Sequence, residues 1–261
     1  MIYDLIPYCG EKNILEIRLN ELNSIVDKFI ILEGTKSHTR IEKTPEFKIK
    51  DFVEFKDKIE YHSFDYCIHE NPFHNDEQGR ICLWNIIRNR VTDNDLILGG
   101  DIDEICNPEV LKREINNYFG PATLLMKNRV LCLDLEQPNI KFPGTSILDK
   151  QTIDDVGLNN LRNNRQNSHY PFFKLIENGG YHFTYCASLE KTLSKLKYFA
   201  HAPETMSWAR TREDLINCIK SNVSIDKQTK LIRVPFTENN FPKYTINNKE
   251  KYKEILSFNY E

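Results

Sequence analysis

Paired cysteines are missing from this 261-residue chain: its 7 cysteines (Cys9, Cys67, Cys82, Cys106, Cys132, Cys186 and Cys218) are odd in number and scattered, without a Cys-x-x-Cys. That excludes a disulfide framework and a zinc ribbon, and predicts reduced structural thiols. Also missing is any run approaching the roughly 20 apolar residues of a membrane span, and Met1 to Pro7 has no basic region ahead of an apolar core. A soluble, cytoplasmic protein with no integral membrane segment is expected. No charge of one sign dominates, since 35 Lys and Arg oppose 38 Asp and Glu for a net charge of −3. A general nucleic-acid or membrane-surface partner is therefore not expected, although a local basic patch at Arg162 to Arg165 is possible.

What is present suits one large α/β domain. The hydrophobic content of 40% is enough for a real interior. Residues 1–8 read as a strand, 12–26 as an amphipathic helix with Ile14, Leu15, Leu22, Ile25 and Val26 at helical spacing, and Lys28 to Glu33 as a buried strand, a βαβ opening. A short helix and a strand follow in 49–63, then a His-, Asn- and Pro-rich loop over 65–75. A helix over 76–91 carries Ile81, Trp84, Ile87 and Val91 on its apolar face, with Trp84 in the core. Asn107-Pro108 caps another helix that ends near Gly120. Beyond it, 122–136 and 171–186 look like antiparallel strands, 150–169 like an Asn-rich mobile loop, and 188–196 and 205–222 like helices. The chain past Pro235 is polar, and the expected division is a catalytic domain over 1–235, with halves 1–120 and 121–235, and a tail over 236–261.

The most informative segment is Leu96-Ile97-Leu98-Gly99-Gly100-Asp101-Ile102-Asp103-Glu104-Ile105, an apolar strand that stops at two glycines and three carboxylates. Strands of open α/β sheets end at their ligand sites, and two carboxylates two residues apart suit a hard divalent cation. With 16 Asp in the chain, chance alone supplies about one Asp-x-Asp. Asp93-Asn94-Asp95 is indeed a second one, placed where a turn into a strand wants such residues. Asp101 and Asp103 follow the apolar run instead, and metal-assisted chemistry on a phosphorylated substrate is the first reading. Turn or cap carboxylates are the alternative.

Three blocks resemble glycosyltransferase family 17, typified by β-1,4-mannosyl-glycoprotein 4-β-N-acetylglucosaminyltransferases. They are Leu15 to Leu22 with Val26 to Glu33, then Glu77 and Arg80 with Gly100-Asp101-Ile102-Asp103-Glu104-Ile105, and Gly180-Tyr181-His182-Phe183-Thr184-Tyr185 with Glu190, Lys195 and Leu196. Tyr181 stands where that pattern usually has Trp, and Cys106 where a Pro often follows the acidic signature. The resemblance covers roughly residues 3–205. It implies an α/β fold of the nucleotide-sugar transferase A type (GT-A), a Rossmann-like mixed sheet flanked by helices. It further implies an inverting enzyme that moves a sugar, N-acetylglucosamine foremost, from a UDP-sugar donor to a hydroxyl of a glycan or glycoconjugate acceptor in β-1,4 linkage.

In that reading Asp103 and Asp101 contact Mn²⁺ or Mg²⁺ on the diphosphate, Asp101 also the ribose, and Glu104 orients a neighbouring group. His182 is a metal or phosphate ligand. Glu33 and Thr35, at the exit of the second strand, contact uridine. Glu190 is the base that takes the acceptor proton, with Glu177 and Glu204 next in line. Tyr181, Tyr185 and Trp208 stack on sugars, Lys195 and Arg210 neutralise phosphate, and His201 is a further ligand candidate. Each also has a plain structural reading, as packing, cap or surface charge. Acceptor choice falls to the loops at 65–75 and 136–170. Two rival classes remain. A haloacid dehalogenase-type phosphatase would use Asp101 and Asp103 with Lys150 and Asp154-Asp155, and a non-catalytic carbohydrate-binding protein would keep only the aromatics.

Overall fold

Alternation along the first strand decides how the layers stack. In β1 (Ile2–Tyr8), Tyr3 and Leu5 face one side of the sheet and Asp4, Ile6 and Tyr8 the other. The computed structural model describes residues 1–165, 173–200 and 208–260. Within them, β1 joins β2 (Lys28–Gly34), β3 (Ile59–Phe64) and β4 (Leu96–Gly99) in a parallel set with order β3-β2-β1-β4. The sheet continues with β7 (Leu135–Asp149), β6 (Ala122–Val130), β8 (Lys174–Thr184) and β5 (Glu104–Cys106), and β9 (Ile232–Arg233) pairs with β7. It is a nine-stranded mixed sheet flanked by helices, as expected. The second half departs in one respect: β7 is antiparallel to β4 and β6, but β8 runs parallel to β6.

One face is covered by α1 (Lys12–Leu22) and α3 (Pro108–Asn116), the other by α2 (Pro72–Ile87). Helix α1 stops at Leu22, four residues short of its expected end. Helix α2 starts earlier than expected because the Asn71 side chain accepts from Phe73 N–H and Pro72 fits the first turn. Trp84 is core. The expected mobile loop at 150–169 is instead two short helices as far as it is described. These are α4 (Lys150–Val156), capped by Asp149, and α5 (Leu158–Asn164), joined at Gly157 with φ 86°. They form because Ile153, Leu158 and Leu161 bury themselves against α2 and β4. Residues 166–169 lie outside the described segments.

Helices α6 (Leu189–Tyr198) and α7 (Arg212–Lys220) enclose a third core with Val130, Leu131 and Leu135. Past residue 235 the chain is no loose tail. Phe241, Tyr252, Ile255 and Leu256 enter the core beside α1, and Glu16 accepts from Tyr244, Lys251 and Tyr252. All seven cysteines are free and five are buried. Among the described residues no helix is long and apolar enough to cross a membrane.

Candidate active site

Strands β1 to β4 are parallel, so their carboxyl ends open on one edge, where a ligand crevice is expected. The segment linking β4 to β5 lies there, and its backbone is held from below. Buried Arg18 on α1 donates to the carbonyls of Asp101 at 2.7 Å and Glu104 at 2.9 Å, while Asp4 on β1 grips the same guanidinium at 2.6 and 2.8 Å. Both side chains of that pair are 0% exposed. Gly100 is required beside it, because a Cβ there would sit 2.3 Å from Thr145 Oγ1 and 2.5 Å from Glu104 Oε2. Gly180 on β8, with φ 138°, lets the neighbouring strand approach, since its Cβ would lie 2.0 Å from the Ile105 carbonyl.

Three carboxylates leave this segment in three directions. Asp101 is bound by Arg80 of α2 at 2.9 Å and by Arg162 of α5. Burial pushes its carboxyl up, but Arg162 and Arg80 outweigh that and hold it well below the usual carboxylate range. With both oxygens in guanidinium contacts, Asp101 is not the free metal ligand expected of it. Glu104, also expected to bind substrate, is fully buried and bonded to Arg165 at 2.8 Å and Thr145 at 3.1 Å.

Asp103 is different. Its Oδ1 lies 3.6 Å from Nε2 of His182 on β8, and its Oδ2 lies 3.2 Å from Lys195 Nζ on α6. Lys195 also reaches Glu11 at 3.5 Å. Burial would pull the Lys195 ammonium down, but Asp103 and Glu11 hold it above its ordinary value. His182 is stacked on Phe142 with ring centroids 3.7 Å apart, and its Nδ1 is 2.8 Å from Asn128 Oδ1. Asn128 spends its amide protons on Gln137, so its oxygen accepts and Nδ1 is the protonated nitrogen. The lone pair of Nε2 is thereby turned toward the Asp103 carboxylate. Burial also pushes the imidazole below its ordinary value, against the pull of Asp103, Glu104 and Asp101, which keeps it neutral near neutral pH.

Two electron-rich donors facing each other, with the histidine tautomer set by an outer partner, fit a divalent cation. Among the described residues no group of three or more His, Cys, Asp or Glu is arranged to hold one alone. A site of two protein donors completed by phosphate oxygens and water is the usual form for such ions.

The remaining expected residues are dispersed. Glu33 is fully buried and saturated by Lys43 Nζ at 2.8 Å, the N–H groups of Glu46 and Phe47, and Tyr61 OH at 3.1 Å. Its carboxylate shapes the 43–47 segment, which corrects the expectation of a uridine contact. Thr35 sits half-buried at the exit of β2. Tyr181 is on the sheet face opposite His182, stacked on Phe183, so it cannot line the same surface. Tyr185, with φ 59°, is buried against Phe199 and Trp208 and lies 5.6 Å beneath Lys195 Nζ. It supports the lysine and exposes little ring for a sugar.

Glu190 is 70% exposed and paired with Arg212 of α7, and five residues along α6 it points well away from Lys195. Glu177 is an exposed partner of Lys141 on the sheet. Arg210 donates to the Leu196 carbonyl at 2.7 Å. His201 and Glu204 lie outside the described residues. Missed from sequence were Asp4, Arg18, Glu11 and Asn128, together with the contacts that Arg80 and Arg165 make with the acidic segment. Asp4, an acid inside an apolar strand, was the one readable signal, since a buried carboxylate demands a partner.

The phosphatase reading loses its parts. Lys150 and Asp154 pair with each other on α4, Asp154 also binds Arg88, and Asp101 is held by two arginines.

The mixed α/β sheet thus sets a carboxylate and an imidazole facing each other beside the carboxyl ends of its parallel strands. The model of glycosyltransferase family 17 matches residues 1–259, and the chain belongs to that family. Two solved structures are similar at low level. One, described only as a mycobacterial protein, shares 10% identity over 69% of this chain and 66% of its own, with a TM-score of 0.40. The other is glucosyl-3-phosphoglycerate synthase from Mycobacterium tuberculosis in complex with Mn²⁺, UDP and phosphoglyceric acid, at 10% identity over 69% of each chain and a TM-score of 0.41. This chain thus spans about two thirds of their lengths. No curated protein matches it.

Proposed function

We propose that this glycosyltransferase has the GT-A architecture and moves a sugar, N-acetylglucosamine in the first instance, from a UDP donor to a glycan hydroxyl in β-1,4 linkage with inversion. The observation that carries the reading is the Asp103 carboxylate facing the unprotonated Nε2 of His182 at the carboxyl end of the parallel strands. Family membership supports the chemistry, and the sugar and linkage rest on the family resemblance.

In this reading Asp103 and His182 would hold Mn²⁺ or Mg²⁺, and Lys195 would add positive charge beside the donor diphosphate. The bound cation would supply Lewis-acid neutralisation of the departing diphosphate. Thr35, at the exit of β2, lies toward the uridine. Asp101, locked to Arg80 and Arg162, places those arginines at the strand ends. The acceptor hydroxyl attacks the anomeric carbon as the bond to UDP breaks, the bonding pair leaving with UDP and the hydroxyl proton passing to a carboxylate. Glu190 is the candidate base, and that role requires its pair with Arg212 to open.

The test is UDP release from UDP-N-acetylglucosamine and other UDP-sugars with Mn²⁺, with EDTA as control. Metal-dependent release that Asp103→Asn abolishes is expected. Glu190→Gln is expected to keep donor binding and lose turnover. UDP binding without turnover of any sugar would favour the non-catalytic carbohydrate-binding alternative.

A further inference from the structure

The segment that Glu33 organises does more than close the end of β2. Phe47 is sandwiched between Phe52, at 5.6 Å and 14°, and Tyr61, at 4.4 Å and 19°. This stack is anchored because Phe47 N–H and Tyr61 OH both donate to Glu33 Oε2. Beside β3, at the edge of the sheet, Phe47, Ile59 and Tyr61 floor an open trough of about 570 Å³. That volume is within the range of small-molecule sites. Its rim carries Lys48, Lys50 and Lys56, all exposed.

Among the described residues none of the three lysines forms an ion pair, whereas Lys12, Lys36, Lys43 and Lys58 nearby are all engaged. The carboxylate next to Lys48 and Lys50 is Asp51, and Lys12 takes it at 3.0 Å. No acidic side chain lines the trough. Three exposed ammonium groups without an ion pair among the described residues, set around an aromatic floor on a molecule of net charge −3, are a local arrangement for an anion with an apolar face.

We propose that this trough binds an acid-bearing sugar of a glycan, whose ring lies against Tyr61 and Ile59 while its carboxylate or sulfate meets Lys48, Lys50 and Lys56. A sugar ring offers the flat apolar face that the floor fits, and a short trough at one sheet edge suits one or two residues of a chain. A nucleic-acid strand would ask for a longer basic track. Through Glu33 the trough shares the 43–47 segment with Lys43, which stands near Cys9 and Glu11 beside Lys195. Its use as an outer acceptor subsite rests on the transferase reading, but the binding itself does not.

The experiment is calorimetric titration of the whole chain, without donor or metal, with a chondroitin sulfate tetrasaccharide, neutral N-acetylchitotetraose and an eight-residue thymidine oligonucleotide. The sulfated sugar is expected to bind more tightly than the other two and to weaken as salt rises. Lys48→Gln, Lys50→Gln and Lys56→Gln together should weaken it by about tenfold or more; the three side chains are exposed and hold no structure, and circular dichroism checks the fold. Asp103→Asn is expected to bind the sulfated sugar like the parent chain, so this inference and the donor-site reading fail separately. No binding of the sulfated sugar, equal binding of the neutral one, tighter binding of the oligonucleotide, or a triple variant that binds like the parent would each overturn the proposal.

Discussion

The loop after β4 and the rim made by α6 and α7 both carry charged pairs, but they are built in opposite ways. Beneath the loop, Asp4 and Arg18 are 0% exposed and Arg18 also reaches the carbonyls of Asp101, Ile102 and Glu104. On the rim, Glu190 with Arg212 and Lys191 with Glu46 are surface pairs, 42% exposed or more. Buried pairs are costly to break, and exposed ones contribute little. The protein therefore fixes the backbone on either side of Asp103 through buried Arg18 and leaves the outer pairs of α6 and α7 at the surface.

Breaking the buried side of that contrast should have the largest effect. Arg18→Leu leaves Asp4 charged and unpartnered in the core and frees the carbonyls of Asp101 and Glu104, so a loss of about 3–5 kcal/mol is expected in urea or thermal unfolding. Adding Asp4→Leu to it should recover part of that stability without restoring the loop, and donor binding should stay impaired. A single variant as stable as the parent would show that the pair is not what holds the segment.

Next in size is the outer support of His182. Asn128→Ala removes the acceptor for Nδ1, and metal affinity measured by Mn²⁺ titration should fall by about 10–100-fold. An unchanged affinity would separate His182 from the metal.

How far the sequence disclosed this contrast follows from the kinds of signal involved. The βαβ opening, the Asn107-Pro108 helix start and the strand before Gly99 were legible because period and capping are local. The segment that changes direction at Gly100 was legible too, but not the division of labour within it. Asp101 and Asp103 look alike in a sequence, and only the positions of Arg80, Arg162, His182 and Lys195, brought in by four other elements, separate them. Helices α4 and α5 were hidden because Asn-rich composition argued for a loop, while a few buried leucine and isoleucine contacts decided the outcome. The segment past Pro235 looked polar, yet Tyr252, Ile255 and Leu256 suffice to seat it. Arg18 carries no local signal of burial, because its partner Asp4 comes from the neighbouring strand.

A smaller effect concerns pH. Burial pushes the His182 imidazole down, so the folded chain binds fewer protons there than the unfolded chain, in which histidine titrates near about 6.5. Stability should fall as pH drops through that value and level off below the folded one. Thermal unfolding between about pH 5 and 7.5 should therefore be less pH-dependent in His182→Gln, with the contribution of His38, which burial also pushes down, common to both proteins. Equal slopes would contradict a buried neutral imidazole. Smallest of all, Arg212→Ala should change stability by no more than about 0.5 kcal/mol, since both partners are exposed. A large stability loss would mean that the rim is not the loose side of the site.

The central claim is that Asp103, and not Asp101, carries the donor's metal. Calorimetric titration of UDP in the presence of Mn²⁺ tests it most directly, comparing the parent chain with Asp103→Asn and with EDTA. Metal-dependent binding that Asp103→Asn removes, in a protein that unfolds like the parent, is the predicted result. UDP binding that survives both EDTA and the substitution would contradict it.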